Sequence, residues 1–284
     1  MFLVMSFPLH VDLLPLTKVL WSRGISHQIL EHNEDQQLWL TKAAQAPEAL
    51  DLCQQMARGD LPSINTETNQ SRVRISLFGG LLAAPMTAGI LAITLLLALL
   101  TGMGDQLEYI AALSFYPIAL QPEPYLLAGW QHLFGEPWRL LTPAWLHFGW
   151  LHLVFNCLWW WDLGRRIEQR QSSKRLWWLF VIIALISNLA QAWQGAHLFG
   201  GLSGVIYGLL GYIWLWDRLR NPVFFLPQGI LIFMLVWLLL GLSNVFSVMG
   251  MGNMANMAHL GGLLAGLALA FILSMIESRR DSRR

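Results

Sequence analysis

The stretch Gly200-Gly201-Leu202-Ser203-Gly204-Val205-Ile206-Tyr207-Gly208 begins an apolar helix that is short for a membrane span. The apolar run ends at Trp216, so at about 1.5 Å per residue Ser203 lies roughly 21 Å above the charged residues that follow. This depth is well inside a hydrocarbon core about 30 Å thick, where non-helical backbone is tolerated only beside protein or a water-filled cavity. The glycines therefore indicate a wet pocket. A serine at that pocket, on a helix N-terminus with free N–H groups, has the elements of a nucleophile with an oxyanion hole.

The composition predicts a polytopic membrane protein with a modest soluble part. Of the 284 residues, 55% are hydrophobic and only 12% are charged. The net charge of +1 gives no reason to expect a nucleic-acid partner. Cys53 and Cys157 are far apart in the sequence, so no disulfide framework is expected, and no cofactor or metal is predicted.

Residues 1–60 predict a small cytoplasmic α/β domain. The turn Asn33-Glu34-Asp35 indicates a hairpin, and Pro47 and Gly59 bracket a helix in the expected order. The predicted strands are 2–7, 26–31 and 36–41, and the predicted helices are 12–22 and 47–58. The polar residues 61–76 predict a linker, which leaves 77–284 for a membrane domain.

The membrane domain is predicted to have six spans, of which the fourth is the short one. These spans are 81–101, 145–163, 176–193, 202–216, 223–243 and 255–276. Around the predicted spans, lysines and arginines cluster before the first span and after the second, fourth and sixth spans, whereas the loops on the opposite side contain only Arg139. The positive-inside rule therefore places both termini in the cytoplasm and the end nearer Ser203 outside.

Polar residues on two other spans lie at about the depth of Ser203. His147, His152 and Asn156 belong to predicted span two, and His259 to span six. By helix rise, His152 is roughly 20 Å and His259 roughly 27 Å above the cytoplasmic end. Any one of these histidines alone would be interpreted as a structural hydrogen-bonding partner between helices. Their coincidence with Ser203 favours a catalytic site.

The chemistry predicted for this site is a Ser–His dyad. No Asp or Glu occurs in 176–216 or 223–276, so no carboxylate is available there to orient a base. His259 would take the proton of Ser203, while His152, Asn156 and the Ser203 N–H would stabilise an oxyanion. Two sets of small residues predict close approach of spans four and six, and Tyr207 is placed to pack on His259. These sets are Gly204, Gly208 and Gly211 on span four, and Gly262 and Gly266 on span six.

Four motifs carry a resemblance to a known family. They are Trp138-Arg139, His147-x4-His152-x3-Asn156, Gly201-Leu202-Ser203-Gly204 and Ala258-His259-x2-Gly262-x3-Gly266. In this order they resemble the rhomboid intramembrane serine proteases, specifically the bacterial GlpG type with a cytoplasmic N-terminal domain. Relatives often have a histidine where this chain has Pro143.

The resemblance implies a six-transmembrane-helix rhomboid bundle in a bacterial inner membrane, acting on transmembrane protein substrates in the lipid bilayer. It implies Ser203 as nucleophile, His259 as base, and His152 and Asn156 as oxyanion-stabilising residues. Tyr207, Gly201 and His147 are implied as supporting residues, and Arg139 and Glu168 as structural ones. A homo-oligomer is left open.

Two other functions compete with a protease. A catalytically inactive rhomboid-like protein would bind membrane clients, but this chain retains both the serine and the histidine. A transporter would also have a broken helix at its site. The chain lacks a carboxylate at depth, a second interrupted helix and an obvious inverted repeat, which argues against a transporter.

Overall fold

The protein is described by a computed structural model covering residues 2–32, 35–62, 81–220, 222–243 and 254–281. It contains two compact units, Met1–Arg74 and Ile75–Arg284. Most of the predicted linker, and Asn33 and Glu34 of the predicted turn, lie outside the described residues.

The first unit is a three-stranded antiparallel sheet covered by two helices, which confirms the predicted α/β region. Its strands have the spatial order β1-β3-β2. The elements are β1 (Phe2–Pro8), α1 (Leu14–Ser22), β2 (His27–His32), β3 (Asp35–Leu40) and α2 (Ala46–Arg58). Alternate strand residues and one face of each helix meet in a single apolar core that includes Leu16, Leu38 and Leu52. Cys53 is part of this core, and burial raises the pKa of its thiol to about 11.

The second unit has a helix at each of the six predicted spans. These helices are α3 (Pro85–Leu100), α5 (Trp150–Arg170), α6 (Ser173–Ala192), α7 (Ser203–Leu219), α8 (Gln228–Leu242) and α9 (Asn256–Asp281). Among the described residues, α6 and α9 are long and apolar enough to cross a membrane, and α3 and α8 are shorter apolar helices. Six membrane crossings therefore remain a prediction.

The second predicted span begins too early. Residues 145–149 are not part of α5: Thr142–Trp145 form a 3-10 turn, Leu146 is extended, and Gly149 has φ 95°. A positive φ of this kind favours glycine, and the chain changes direction at Gly149 immediately before α5 begins. His147 consequently lies before α5 rather than on it.

The long connection between α3 and α5 is folded around a buried arginine. It contains α4 (Leu107–Leu113) and a short antiparallel hairpin whose two strands, β4 (Ile118–Ala119) and β5 (Tyr125–Leu126), have two residues each. Arg139 is 5% exposed and donates to the carbonyls of Ala111 and Ser114 and to the Glu136 carboxylate. The hydrogen bond from Arg139 lowers the pKa of that carboxyl. Arg139 thus joins the end of α4 to the segment around Glu136 through two main-chain carbonyls and one carboxylate.

Glu168, near the C-terminal end of α5, also joins separate segments of the chain through hydrogen bonds. Its carboxylate accepts hydrogen bonds from the N–H groups of Met86 and Thr87, from the Thr87 hydroxyl and from the Ser173 hydroxyl. The Glu168 carboxylate therefore caps the start of α3 and connects it to α5 and α6. A carboxylate at a helix N-terminus is also favoured by the helix dipole.

The glycines of α7 and α9 bring the two backbones into direct contact. A Cβ on Gly262 would meet the carbonyl of Gly204, and a Cβ on Gly266 would meet the carbonyl of Gly208. In the other direction, a Cβ on Gly208 would lie 2.9 Å from the carbonyl oxygen of Gly262. The two helices therefore cannot keep this separation if these positions carry larger residues.

We expect Gly262→Ala to destabilise the membrane unit by about 1–3 kcal/mol, because the added methyl must push α9 away from α7. Thermal unfolding in detergent measures the loss. Gly89→Ala on α3 is the matched control, since a Cβ there has nothing within 4 Å. An unchanged melting temperature for Gly262→Ala would contradict the close approach of the two helices.

Candidate functional site

A cavity of about 940 Å³ lies where α5, α7, α8 and α9 meet. Its wall contains Ser203, His259, His152, Asn156 and Tyr207. The residues that the sequence placed at one depth are therefore brought to one cavity, with apolar side chains from α5 and α8 forming much of the remaining wall.

Ser203 and His259 are in direct contact. Ser203 is the first residue of α7, and His259 lies in the first turn of α9. The Ser203 Oγ and His259 Nε2 atoms are 2.8 Å apart, so the hydroxyl can donate to a neutral imidazole. His259 is 3% exposed, and its Nδ1 has no hydrogen-bond partner among the described residues. Within those residues, no hydrogen bond at Nδ1 orients the ring.

Packing supplies the orientation that such a hydrogen bond would otherwise provide. The ring of Tyr207, one turn after Ser203, lies 4.9 Å from the His259 ring between centroids, at an interplanar angle of 38°. The Tyr207 hydroxyl donates to the carbonyl of Met234 on α8, over 2.9 Å. Tyr207 is thus fixed at its far end and covers one face of the imidazole.

Two hydrogen-bond donors from α5 face the same space. The Phe148 N–H donates to His152 Nδ1 over 3.4 Å, which leaves the Nε2 of a neutral imidazole as the protonated nitrogen. The Asn156 Nδ2 atom is buried and has no acceptor among the described residues. A buried amide donor without an acceptor is costly, so an acceptor from a bound molecule would satisfy it.

The loop before α7 holds these donors at a short distance. Gly201 has φ 116°, and a Cβ on it would lie 2.6 Å from His152 Nε2 and 3.4 Å from Asn156 Nδ2. The Gly201 N–H donates to the carbonyl of Pro143, over 2.9 Å. Pro143 therefore supports the loop through its backbone carbonyl.

His147 is close to the site but not in its wall. It is 1% exposed, and its Nδ1 lies 3.0 Å from the carbonyl oxygen of Trp145. Its ring lies 5.0 Å from the His152 ring between centroids. The structure therefore places His147 behind His152, as a neighbour that restricts the orientation of that ring.

The contribution of α6 to the site was not predicted from the sequence. Gln191 Oε1 accepts from the Ala258 N–H over 3.0 Å, and the Ser187 hydroxyl donates to the Ala258 carbonyl over 3.0 Å. Ala258 directly precedes His259, so α6 fixes the backbone that carries the imidazole. The available signal was the spacing of Ser187 and Gln191, four residues apart on one face of an otherwise apolar helix.

Comparison with known families gives two matches. The Rhomboid domain matches residues 134–276, and the rhomboid N-terminal domain matches residues 1–67. The first match includes every residue named in the cavity wall above, and it covers half of the chain.

Proposed function

This chain belongs to the rhomboid family, and from that premise we propose that it is an intramembrane serine endopeptidase. The proposed activity is hydrolysis of peptide bonds in or near the transmembrane segments of membrane proteins, through a Ser203–His259 dyad. The observation that carries the proposal is the 2.8 Å separation of Ser203 Oγ and His259 Nε2. A nucleophile and a base within hydrogen-bond distance are the minimum that this chemistry requires.

In the first half of the reaction, Ser203 Oγ attacks the carbonyl carbon of the substrate while His259 Nε2 takes the hydroxyl proton. The tetrahedral intermediate then expels the amine, which receives that proton from His259 as the C–N bond breaks. In the second half, His259 takes a proton from water as the water oxygen attacks the ester. Breaking the bond to Ser203 Oγ releases the acid and returns the proton to the serine.

An oxyanion forms once in each half of the reaction, and its stabilisation requires hydrogen-bond donors that are already in place. His152 Nε2 and Asn156 Nδ2 are directed at the space beside Gly201, and the Ser203 N–H is at the free N-terminus of α7. Asn156 Nδ2 lacks another partner among the described residues, so it gains a hydrogen bond when the oxyanion forms. This difference between ground state and transition state is what accelerates a reaction.

We expect Asn156→Leu to lower kcat by up to roughly 100-fold, because removal of one oxyanion donor has an effect of that order or larger and other donors share the charge here. A cleavage assay with a transmembrane substrate measures the effect. Cys157→Ala is the control, since Cys157 is the next residue on α5 but does not line the cavity. Full activity of Asn156→Leu would contradict its assignment to the oxyanion.

The second candidate is an inactive member of the family that binds membrane clients. It is favoured by the apolar part of the cavity wall, which includes Phe155, Phe233 and Trp237 and could hold a client helix.

The proposed location is a bacterial inner membrane with several crossings and both termini in the cytoplasm. The domain boundaries proposed are 1–60, 61–76 and 77–284.

One experiment separates the two candidates. The purified full chain is incubated in liposomes with a model transmembrane substrate and, in a separate reaction, with a fluorophosphonate that reacts with activated serines. A protease should release two fragments and carry one adduct, which mass spectrometry of peptides should locate at Ser203. Intact substrate bound to an unlabelled protein would instead support the inactive client-binding protein.

A further inference from the structure

A second cavity of the membrane unit lies at the opposite end of α7 from Ser203. It has a volume of about 680 Å³ and opens between the last turns of α5, α7 and α9 and the first turn of α6. Because α7 has 17 residues, the two cavities are separated by roughly 25 Å of helix rise. The second cavity therefore takes no part in the proposed catalytic site.

The charges that line this cavity do not cancel. Arg175 pairs with Glu277, and Arg220 pairs with Asp281, each over 2.5 Å. Both carboxylates in the wall are therefore neutralised by partners on other helices. Arg170, at the end of α5, also lines the cavity and has no ion pair or hydrogen bond within the described ranges. One positive charge, on an exposed side chain, is therefore left without an ion-pair partner among the described residues.

A buried donor lies beside this arginine. Gln171 accepts a hydrogen bond from the Tyr212 hydroxyl through Oε1, over 2.8 Å, which fixes the orientation of its amide. Its Nε2 atom is buried and finds no acceptor in the part of the chain that the structure describes. Gln171 lines the cavity, so an oxygen acceptor that reaches this amide from the cavity would satisfy a donor that is otherwise unpaired.

Two further features restrict the class of acceptor. Ser172, the next residue in the wall, is the N-cap of α6; its Oγ accepts from the Arg175 N–H, and the helix dipole and the remaining N–H groups of the first turn favour an anion. Another side of the cavity is apolar and consists of Trp216, Leu219 and Val223. A small free anion would leave that side unused, whereas the glycerol backbone and first methylene groups of a lipid would contact it.

We propose that this cavity binds the phosphodiester headgroup of a membrane lipid, with the phosphate between Arg170, the Gln171 amide and the start of α6. Basic pockets between helices at the membrane surface are a recurrent form of lipid recognition. The bound headgroup would connect the ends of α5, α6 and α7 at the surface opposite the Ser203 cavity. This inference does not depend on catalysis.

Native mass spectrometry of the full chain, released from detergent, tests the proposal. Dioleoylphosphatidylglycerol is titrated against the wild type, against Arg170→Glu, and against Arg165→Glu as the control. Arg165 lies on the same helix, its guanidinium is over the ring of Trp161, and it does not line the cavity. Arg170→Gln is a second variant, used in case charge reversal prevents folding. It removes the positive charge and leaves both ion pairs in place.

We expect the wild type and Arg165→Glu to retain one lipid, and both Arg170 variants to bind it about tenfold more weakly, as for loss of a hydrogen bond to a charged group. Equal lipid retention by the wild type and both Arg170 variants would overturn the site. Equal retention of dioleoylglycerol, which lacks the phosphate, would overturn the role of the headgroup. Equal affinity for glycerol 1-phosphate, which lacks the chains, would assign the cavity to a soluble phosphate and overturn the lipid.

Discussion

Ser203→Ala and His259→Ala should each reduce cleavage of a transmembrane substrate by roughly 10⁴-fold or more, and the double variant should be no worse than either. The two side chains are 2.8 Å apart and act as a unit, so removal of one leaves the other without a function. Steady-state cleavage in liposomes measures the rates, and thermal unfolding shows whether each variant remains folded. Ser243→Ala, an exposed serine just after α8, is the control and should retain full activity.

Two outcomes would contradict the dyad. Substantial turnover by Ser203→Ala would mean that another group attacks the substrate. A double variant much less active than both single variants would mean that Ser203 and His259 contribute independently. The second outcome is informative even if both single variants are slow, because additivity is expected only of groups that do not act together.

Gly201→Ala should be the next most damaging substitution that leaves the dyad intact, lowering kcat by roughly 100-fold or more. Its φ of 116° is strained for any residue with a side chain, and the new methyl would lie 2.6 Å from His152 Nε2. Either the loop or the His152 ring must then move, and an oxyanion donor is lost from its position. The decrease should appear in kcat, because the groups that bind the rest of the substrate are unchanged.

Gly229→Ala is the control for this substitution. Gly229 lies near the start of α8, where a Cβ would have nothing within 4 Å, so activity should be unaffected. Fluorophosphonate labelling provides a second measurement, since the phosphonyl oxygen also requires the oxyanion donors. Wild-type rates of cleavage and labelling in Gly201→Ala would show that neither the loop conformation nor His152 is needed.

The parts of the structure that were predictable follow from strong local signals. Hydrophobic periodicity and turn residues indicated the strands and helices of the first unit, and uninterrupted apolar runs indicated α3, α6, α8 and α9. The contact of α7 with α9 was predictable because glycines spaced three and four residues apart on apolar helices are typical of close helix packing. The absence of carboxylates at depth indicated a dyad, which stays a prediction.

The parts that were not predictable depend on tertiary packing. Residues 145–149 are apolar enough to continue a span, and only the fold shows that the chain turns at Gly149 and leaves His147 outside α5. Gln191 and Ser187 resemble ordinary polar residues of a buried helix, and their partner is the backbone of Ala258, which has no sequence signal. Hydrogen bonds from side chains to remote main-chain atoms cannot be read from spacing.

The glycine contact between α7 and α9 has a mechanical consequence. Ser203 directly precedes Gly204, and His259 lies three residues before Gly262, so the distance between the proposed nucleophile and base is set by the relative register of two rigid helices. A slip of one residue along either axis would change that distance by about 1.5 Å, which is far more than a reacting pair tolerates. Alignment of the proposed dyad is therefore a property of the backbone, acquired once during assembly, so the proposed reaction would need no further loss of entropy to align the pair at each turnover.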